Sequence, residues 1–299
     1  MSLFEKLVSK TIMHVPGPIV EHFANGYIAG ENLAAAVDTT ARLNSKGMEA
    51  TIDILGEFIK TKDEAIFYKE QCIEIFKEIK NHNLNANVSL KPTQMGLQLD
   101  TEFAFANILE IVKTAKESNN FVRIDMEDTP CTNATLVLFE RLRRDYEGHV
   151  GTVLQAYLRR TSDDIDNLSQ GYQNYRLCKG IYNEPRSLAW KDYQTVNLSY
   201  VHCLEKLFNS KAYVGIATHD ERLVFEAMKL IRQYGLQRNQ YEFQMLLGVD
   251  EELREVILKA GHRLRVYVPY GRDWLPYSRR RLKENPMIAR HALKQMFGL

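Results

Sequence analysis

Residues 121–126 read FVRIDM, and Glu127 follows. In an extended chain, alternation puts Val122, Ile124 and Met126 on one face and Arg123, Asp125 and Glu127 on the other. Similar β-rich runs recur along the chain at 50–55 (ATIDIL), 86–91 (ANVSLK), 152–158 (TVLQAYL), 174–180 (NYRLCKG), 212–218 (AYVGIAT), 241–247 (YEFQMLL) and 264–268 (LRVYV). Longer stretches of helical periodicity separate them. This is the sequence form of repeated βα units around a parallel sheet. With 121–126 the runs number eight, which closes a (β/α)8 TIM-type barrel, and 299 residues fit one barrel of roughly 250 residues plus an extension.

The helical signals are specific. Thr61-x-x-Glu64 reads as a capping box ahead of Ile66, Ile73, Phe76 and Ile79 on one face. Phe105, Ile108, Leu109 and Val112 repeat the pattern, and Asp250 reads as the N-cap of a helix carrying Leu253, Val256 and Ile257, with Gly261 at its stop. Residues 1–48 read as a helical extension, with Phe4, Leu7, Val8 and Ile12 on one face of its first helix, and 49–299 as the barrel. No low-complexity stretch or long linker marks a further boundary.

Lys plus Arg (39) and Asp plus Glu (38) nearly cancel, so the basic field expected of a nucleic-acid partner is missing. No apolar run is long enough to cross a bilayer, and the N-terminus MSLFEKLVSK lacks a leader's apolar core. Cys72, Cys131, Cys178 and Cys203 form no C-x-x-C pair, so free thiols and a reducing cytoplasm are expected. No G-x-G-x-x-G, P-loop, H-E-x-x-H or G-x-S-x-G is present, which leaves Rossmann, nucleotide-triphosphatase, zinc-protease and hydrolase readings unsupported.

Barrel enzymes hold catalytic groups at the C-terminal ends of their strands. Polar residues recur there: Asp125 with Arg123 and Glu127, Gln155 and Tyr157, Arg176 and Cys178, Arg265 and Tyr267, and Lys91 beside Pro92. A solvated strand end or a satisfied ion pair explains any one of them; their recurrence on several strands points to a polar, charged barrel mouth. In YSRRRLKE (277–284), Tyr277, Arg280, Arg281 and Glu284 share a helical stripe that is normally apolar. Adjacent arginines suit a forked grip on a carboxylate; the competing reading is an exposed basic face with an Arg280–Glu284 pair. These residues indicate a barrel enzyme for a small carboxylate and do not by themselves yield a flavin.

RIDMED, VLQAYLRR, RLCKGIYNEP, ATHDE, YEFQMLLGV and VYVPYGRDWLPYSRRRLKENP occur in order, and together they resemble the proline dehydrogenase family over residues 50–286. The resemblance implies a distorted (β/α)8 barrel binding FAD at the strand ends, with the helix from 277 onward as a lid. It implies oxidation of L-proline to Δ1-pyrroline-5-carboxylate, with hydride passing from proline C5 to flavin N5. Arg280 and Arg281 would hold the proline carboxylate, Lys91 and Asp125 would line the polar end, and Tyr267, Tyr277 and Leu246 would wall in the ring. Glu57 would pair with Arg280 as a gate. Gln155, Arg176, Cys178, Lys179, Gly180, Thr218 and His219 would lie along the cofactor, approached by Arg281 and Glu284.

The resemblance further implies a quinone acceptor and, since the length leaves no room for an aldehyde-dehydrogenase-like module, a separate pyrroline-5-carboxylate dehydrogenase for the product. The ring of Tyr277 would leave no space for a 4-hydroxyl, favouring proline over hydroxyproline. Two positions depart from the family pattern: Ile181 stands where Ala is common and Asp220 where Asn is common, adding bulk and a charge near the expected cofactor. Other readings remain at this point: a flavin-free barrel with Lys91 or Lys179 as an amine catalyst, or a silent binding barrel. The first helix, with Lys6 and Lys10, fits either packing on its own barrel or peripheral contact with the inner face of the cell membrane.

Overall fold

The computed structural model describes residues 26–56, 59–275 and 278. A helix α1 (Leu33–Ser45), N-capped by Asn32, precedes the first strand. Then β1 (Glu49–Ile54), β2 (Ala86–Leu90), β3 (Val122–Ile124), β4 (Val150–Gln155), β5 (Asn174–Cys178), β6 (Tyr213–Ala217), β7 (Tyr241–Leu246) and β8 (Leu264–Tyr270) alternate with helices. These are α2 (Lys62–Asn81), α3 (Thr101–Glu117), α4 (Thr129–Arg143), α5 (Thr161–Asn167), α6 (Tyr193–Asn209), α7 (Glu221–Gln233) and α8 (Glu251–Lys259). Every strand pairs in parallel with its neighbours, and β1 pairs with β8 from Glu49↔Arg265 to Ile54↔Tyr270, closing an eight-stranded barrel.

The two helix starts read from capping signals in the sequence lie where those signals place them. Thr61 and Glu64 satisfy each other's backbone N–H groups in the expected capping box, and Asp250 Oδ1 accepts from Leu253 N–H at the start of α8. Apolar strand and helix residues, among them Ile52, Val88, Ile124, Phe76, Ile108 and Leu207, form one contiguous core. Polar strand residues bond instead across the barrel: Tyr267 from β8 reaches Asp125 beyond β3. Those strands are not neighbours, so the bond crosses the barrel interior.

Some expectations need correction. Ile66 and Val256 are exposed rather than core-facing; the buried stripe of α2 runs through Ala65, Cys72, Ile75, Phe76 and Ile79. Arg265 is not at the mouth: it binds Glu49, the first residue of β1, and Glu242 near the start of β7, at the barrel's N-terminal end. Tyr157 does not continue the face of Gln155, because β4 ends at Gln155 and the ring packs with Leu158 and Ala189 in a separate cluster. Phe4, Leu7, Val8 and Ile12 lie outside the described residues.

Candidate active site at the strand ends

Asp125, directly after β3, is the centre of the polar mouth. Its Oδ1 accepts Arg176 Nη1 at 2.6 Å and Ser89 Oγ at 2.7 Å, and its Oδ2 accepts the Tyr267 hydroxyl at 3.0 Å. Burial pushes the carboxyl upward, but the Arg176 and Lys91 cations and the bonds from Ser89 and Tyr267 outweigh it and hold the group below its ordinary value. Asp125 is therefore a fixed anion.

Lys91 extends from the end of β2 to Asp53 on β1, with Nζ 3.1 Å from Oδ1 and 2.9 Å from Oδ2. Burial pushes the Asp53 carboxyl up to about 6; Lys91 opposes the rise and Asp125 adds to it. Sequence reasoning missed Asp53. The available signal was an acid within the otherwise apolar run of ATIDIL.

Arg176 spans the opposite side. Besides Asp125, it donates through Nε to Gln244 Oε1 at 2.6 Å and lies 5.2 Å from the Tyr267 ring, while its buried Nη2 has no hydrogen-bond partner among the described residues. A buried guanidinium nitrogen left without an acceptor is costly, so this site is arranged for a group that supplies one. Gln155 is buried and donates to the Glu127 carbonyl at 2.9 Å. Glu127 itself accepts from Thr93 N–H and Oγ1, tying two strand-end loops together.

Lys179, Gly180, Thr218 and His219 continue along the ends of β5 and β6. Gly180 has φ +104°, and an added Cβ would lie 2.1 Å from the Tyr157 ring, so the loop depends on glycine here. Lys179 Nζ donates to Asp220 Oδ2 at 2.7 Å, and the same oxygen accepts Asn197 Nδ2 at 3.0 Å and the Tyr193 hydroxyl. Burial acts against the Asp220 anion, but these bonds hold its carboxyl at about 2. The charge flagged in the sequence is thus met by a lysine cation, and Asp220 also N-caps α7 through Arg222 N–H. Ile181 is exposed, so its bulk meets no core neighbour.

His219 Nε2 accepts Leu246 N–H at 2.8 Å, which leaves the proton of the neutral ring on Nδ1. The Leu246 carbonyl accepts from Arg254, so the backbone of this expected wall residue is held on both sides. Gln244 and Arg254 carried no local sequence signal. Cys178 is half-buried at the end of β5. Lys91, Asp125, Arg176, Tyr267 and Leu246 thus converge at the strand ends, whereas Glu57, Tyr277, Arg280, Arg281 and Glu284 lie outside the described residues.

Comparison with known proteins is consistent across sequence and structure. The family model for proline dehydrogenase matches residues 36–292. The chain is 38% identical over 273 residues to proline dehydrogenase 2 of Bacillus subtilis, covering 91% of this chain and 90% of that protein. It is 32% identical over 279 residues to the proline dehydrogenase of Deinococcus radiodurans, covering 92% and 90%. The crystal structure of proline utilization A from Bdellovibrio bacteriovorus, inactivated by N-propargylglycine, superposes with a TM-score of 0.82 at 24% identity. It covers 89% of this chain, and the chain spans 33% of that larger protein.

Proposed function

The chain belongs to the proline dehydrogenase family, and from that membership we propose that FAD is its cofactor and that the residues gathered at the strand ends bind L-proline beside it. Its activity is that of an oxidoreductase acting on the CH–NH group of proline, in the first step of proline catabolism. The observation that carries the cofactor reading is Arg176: two of its nitrogens are occupied by Asp125 and Gln244, and the third is buried without an acceptor. An electron-rich ring edge satisfies that nitrogen. Gly180, where a side chain would strike Tyr157, lets that ring pack directly on the loop that follows β5.

The chemistry a bound FAD supplies is two-electron acceptance: hydride from proline C5 to flavin N5, followed by delivery of the electrons to a quinone. The protein's own contribution is binding, orientation and electrostatics. Arg176 sets positive charge where reduction adds negative charge. Gln155, Cys178, Lys179, Thr218 and His219 line the rest of the cofactor in this reading. Lys91 and Asp125 form the polar end of the substrate pocket, and Tyr267 and Leu246 wall its apolar part. By family pattern Arg280 and Arg281 would grip the carboxylate, Tyr277 would close the ring pocket, Glu57 would pair with Arg280, and Arg281 and Glu284 would reach the cofactor. Holding the reacting carbon in one orientation removes part of the entropic barrier to the reaction.

No described helix is long and apolar enough to cross a membrane. The product would be consumed by a separate pyrroline-5-carboxylate dehydrogenase. The test is the visible spectrum of the purified protein under anaerobic conditions, with L-proline, D-proline and trans-4-hydroxy-L-proline. Bleaching of a bound flavin by L-proline alone is expected. A flavin that stays oxidised with all three would overturn the substrate reading, and a protein that neither carries nor accepts FAD would overturn the cofactor reading.

A further inference from the structure

Gln244, on β7, stands between a cation and an anion. Its Oε1 accepts Arg176 Nε at 2.6 Å, and its Nε2 donates to Glu242 Oε1 at 2.6 Å. The two ends of a primary amide are not interchangeable, so the carboxylate on one side obliges the carbonyl to face the guanidinium on the other. Glu242 is itself fixed: burial works against its charge, but Arg265, with Nε at 2.8 Å, and Gln244 hold its carboxyl at about 2. Gly215 on β6 leaves the room that this requires, since a Cβ there would lie 2.4 Å from Gln244 Nε2. A continuous chain Asp125–Arg176–Gln244–Glu242–Arg265–Glu49 thus runs from the strand ends to the opposite end of the barrel.

We propose that Gln244, its amide oriented by Glu242, is a positioning residue that fixes the guanidinium plane of Arg176 and, being neutral, adds no second anion to the one that Asp125 already sets against Arg176. This rests on the flavin reading above. A carboxylate at 244 would accept Nε as well but, with Glu242 made neutral so that two carboxylates do not meet at 2.6 Å, would set a second anion against Arg176, whereas an apolar side chain would release the guanidinium without adding charge.

Both halves can be measured on flavin-loaded protein. The wild type is first examined for bound flavin, and midpoint potentials are then taken by anaerobic dye equilibration, alongside kcat and KM for proline and thermal melts. The double variant Glu242→Gln/Gln244→Glu, nearly isosteric and without two carboxylates in contact, is expected to lower the potential relative to Glu242→Gln by at least a tenfold change in the equilibrium constant, about 30 mV for a two-electron couple. Gln244→Met is expected to reduce kcat at least tenfold with a smaller change in KM. If Gln244→Met does not fold, the potential of the double variant decides alone. Equal potentials in Glu242→Gln and the double variant, both carrying flavin, would overturn the proposal and leave the cofactor standing. A wild type that binds no flavin would overturn both.

Discussion

Lys91 Nζ lies within 3.1 Å of both carboxylate oxygens of Asp53, whose side chain is wholly removed from solvent. Two charges taken out of water hold each other there only because each compensates the other's lost hydration. Removing Lys91 strands the buried Asp53 carboxylate, so Lys91→Met should cost about 3 kcal/mol of stability at neutral pH. Asp53→Asn, which removes the carboxylate that burial disfavours, should cost less, and the double variant should recover part of the Lys91→Met loss. Urea unfolding of all four proteins measures the coupling; strictly additive losses would show that the pair does not act as a unit.

The Asp53 carboxyl also predicts a pH signature. Its ordinary value is 3.8 and burial raises it to about 6, so between these values the folded protein binds more protons at this position than the unfolded chain. Stability from Asp53 is therefore fully present below 3.8 and declines as pH rises through about 6. Relative to Asp53→Asn, which does not titrate, the wild type should lose stability over that window and change no further above it. Denaturation midpoints at half-unit pH intervals give the difference curve, and a flat one would contradict this assignment.

Asp220 has the opposite sign. Its carboxyl is held at about 2 against an ordinary 3.8, so its stabilisation is present above 3.8 and is lost as pH falls toward 2. Asn caps helices about as well as Asp, so Asp220→Asn should keep α7 while removing the anionic acceptor that Lys179, Asn197 and Tyr193 share. The expected cost is about 1 kcal/mol at neutral pH for a pair near the surface, declining in acid. Thermal melts at pH 7 and pH 3 would show the cost falling by about half, and a pH-independent cost would point to the cap and the lost hydrogen bonds instead.

Gly180 is tested by Gly180→Ala. The added methyl meets the Tyr157 ring at 2.1 Å, and φ +104° is strained for any L side chain, so a loss of about 2 kcal/mol is expected together with weaker FAD binding in a fluorescence titration. Adding Tyr157→Leu should relieve the collision but not the backbone strain, recovering part of the loss. Full recovery would mean that the backbone conformation costs nothing.

The barrel was legible in the sequence because each βα unit declares itself locally. Period-two runs such as FVRIDM, capping signals such as Thr61-x-x-Glu64 and stop signals such as Gly261 are all set within about a dozen residues. Side-chain direction was less legible. Val256 and Ile66 fit a helical stripe yet face solvent, because periodicity fixes the angle between residues and not which neighbour covers them. Tyr157 was misassigned for a related reason: alternation stops where a strand stops, and β4 ends two residues before it.

Sequence by itself determined the order of strands and helices, the positions of their caps, and the polar residues Asp125, Arg176, Lys91 and Tyr267 that ordinary core filling would not choose. Only barrel closure decided what those residues meet. Asp53 and Lys91 are 38 positions apart and Arg176 and Gln244 are 68 apart. No local pattern encodes such pairs, since the first forms only when β1 and β2 pair and the second only when β5 and β7 share the barrel interior. There the scarcity of water obliges every charge to find its partner across the barrel.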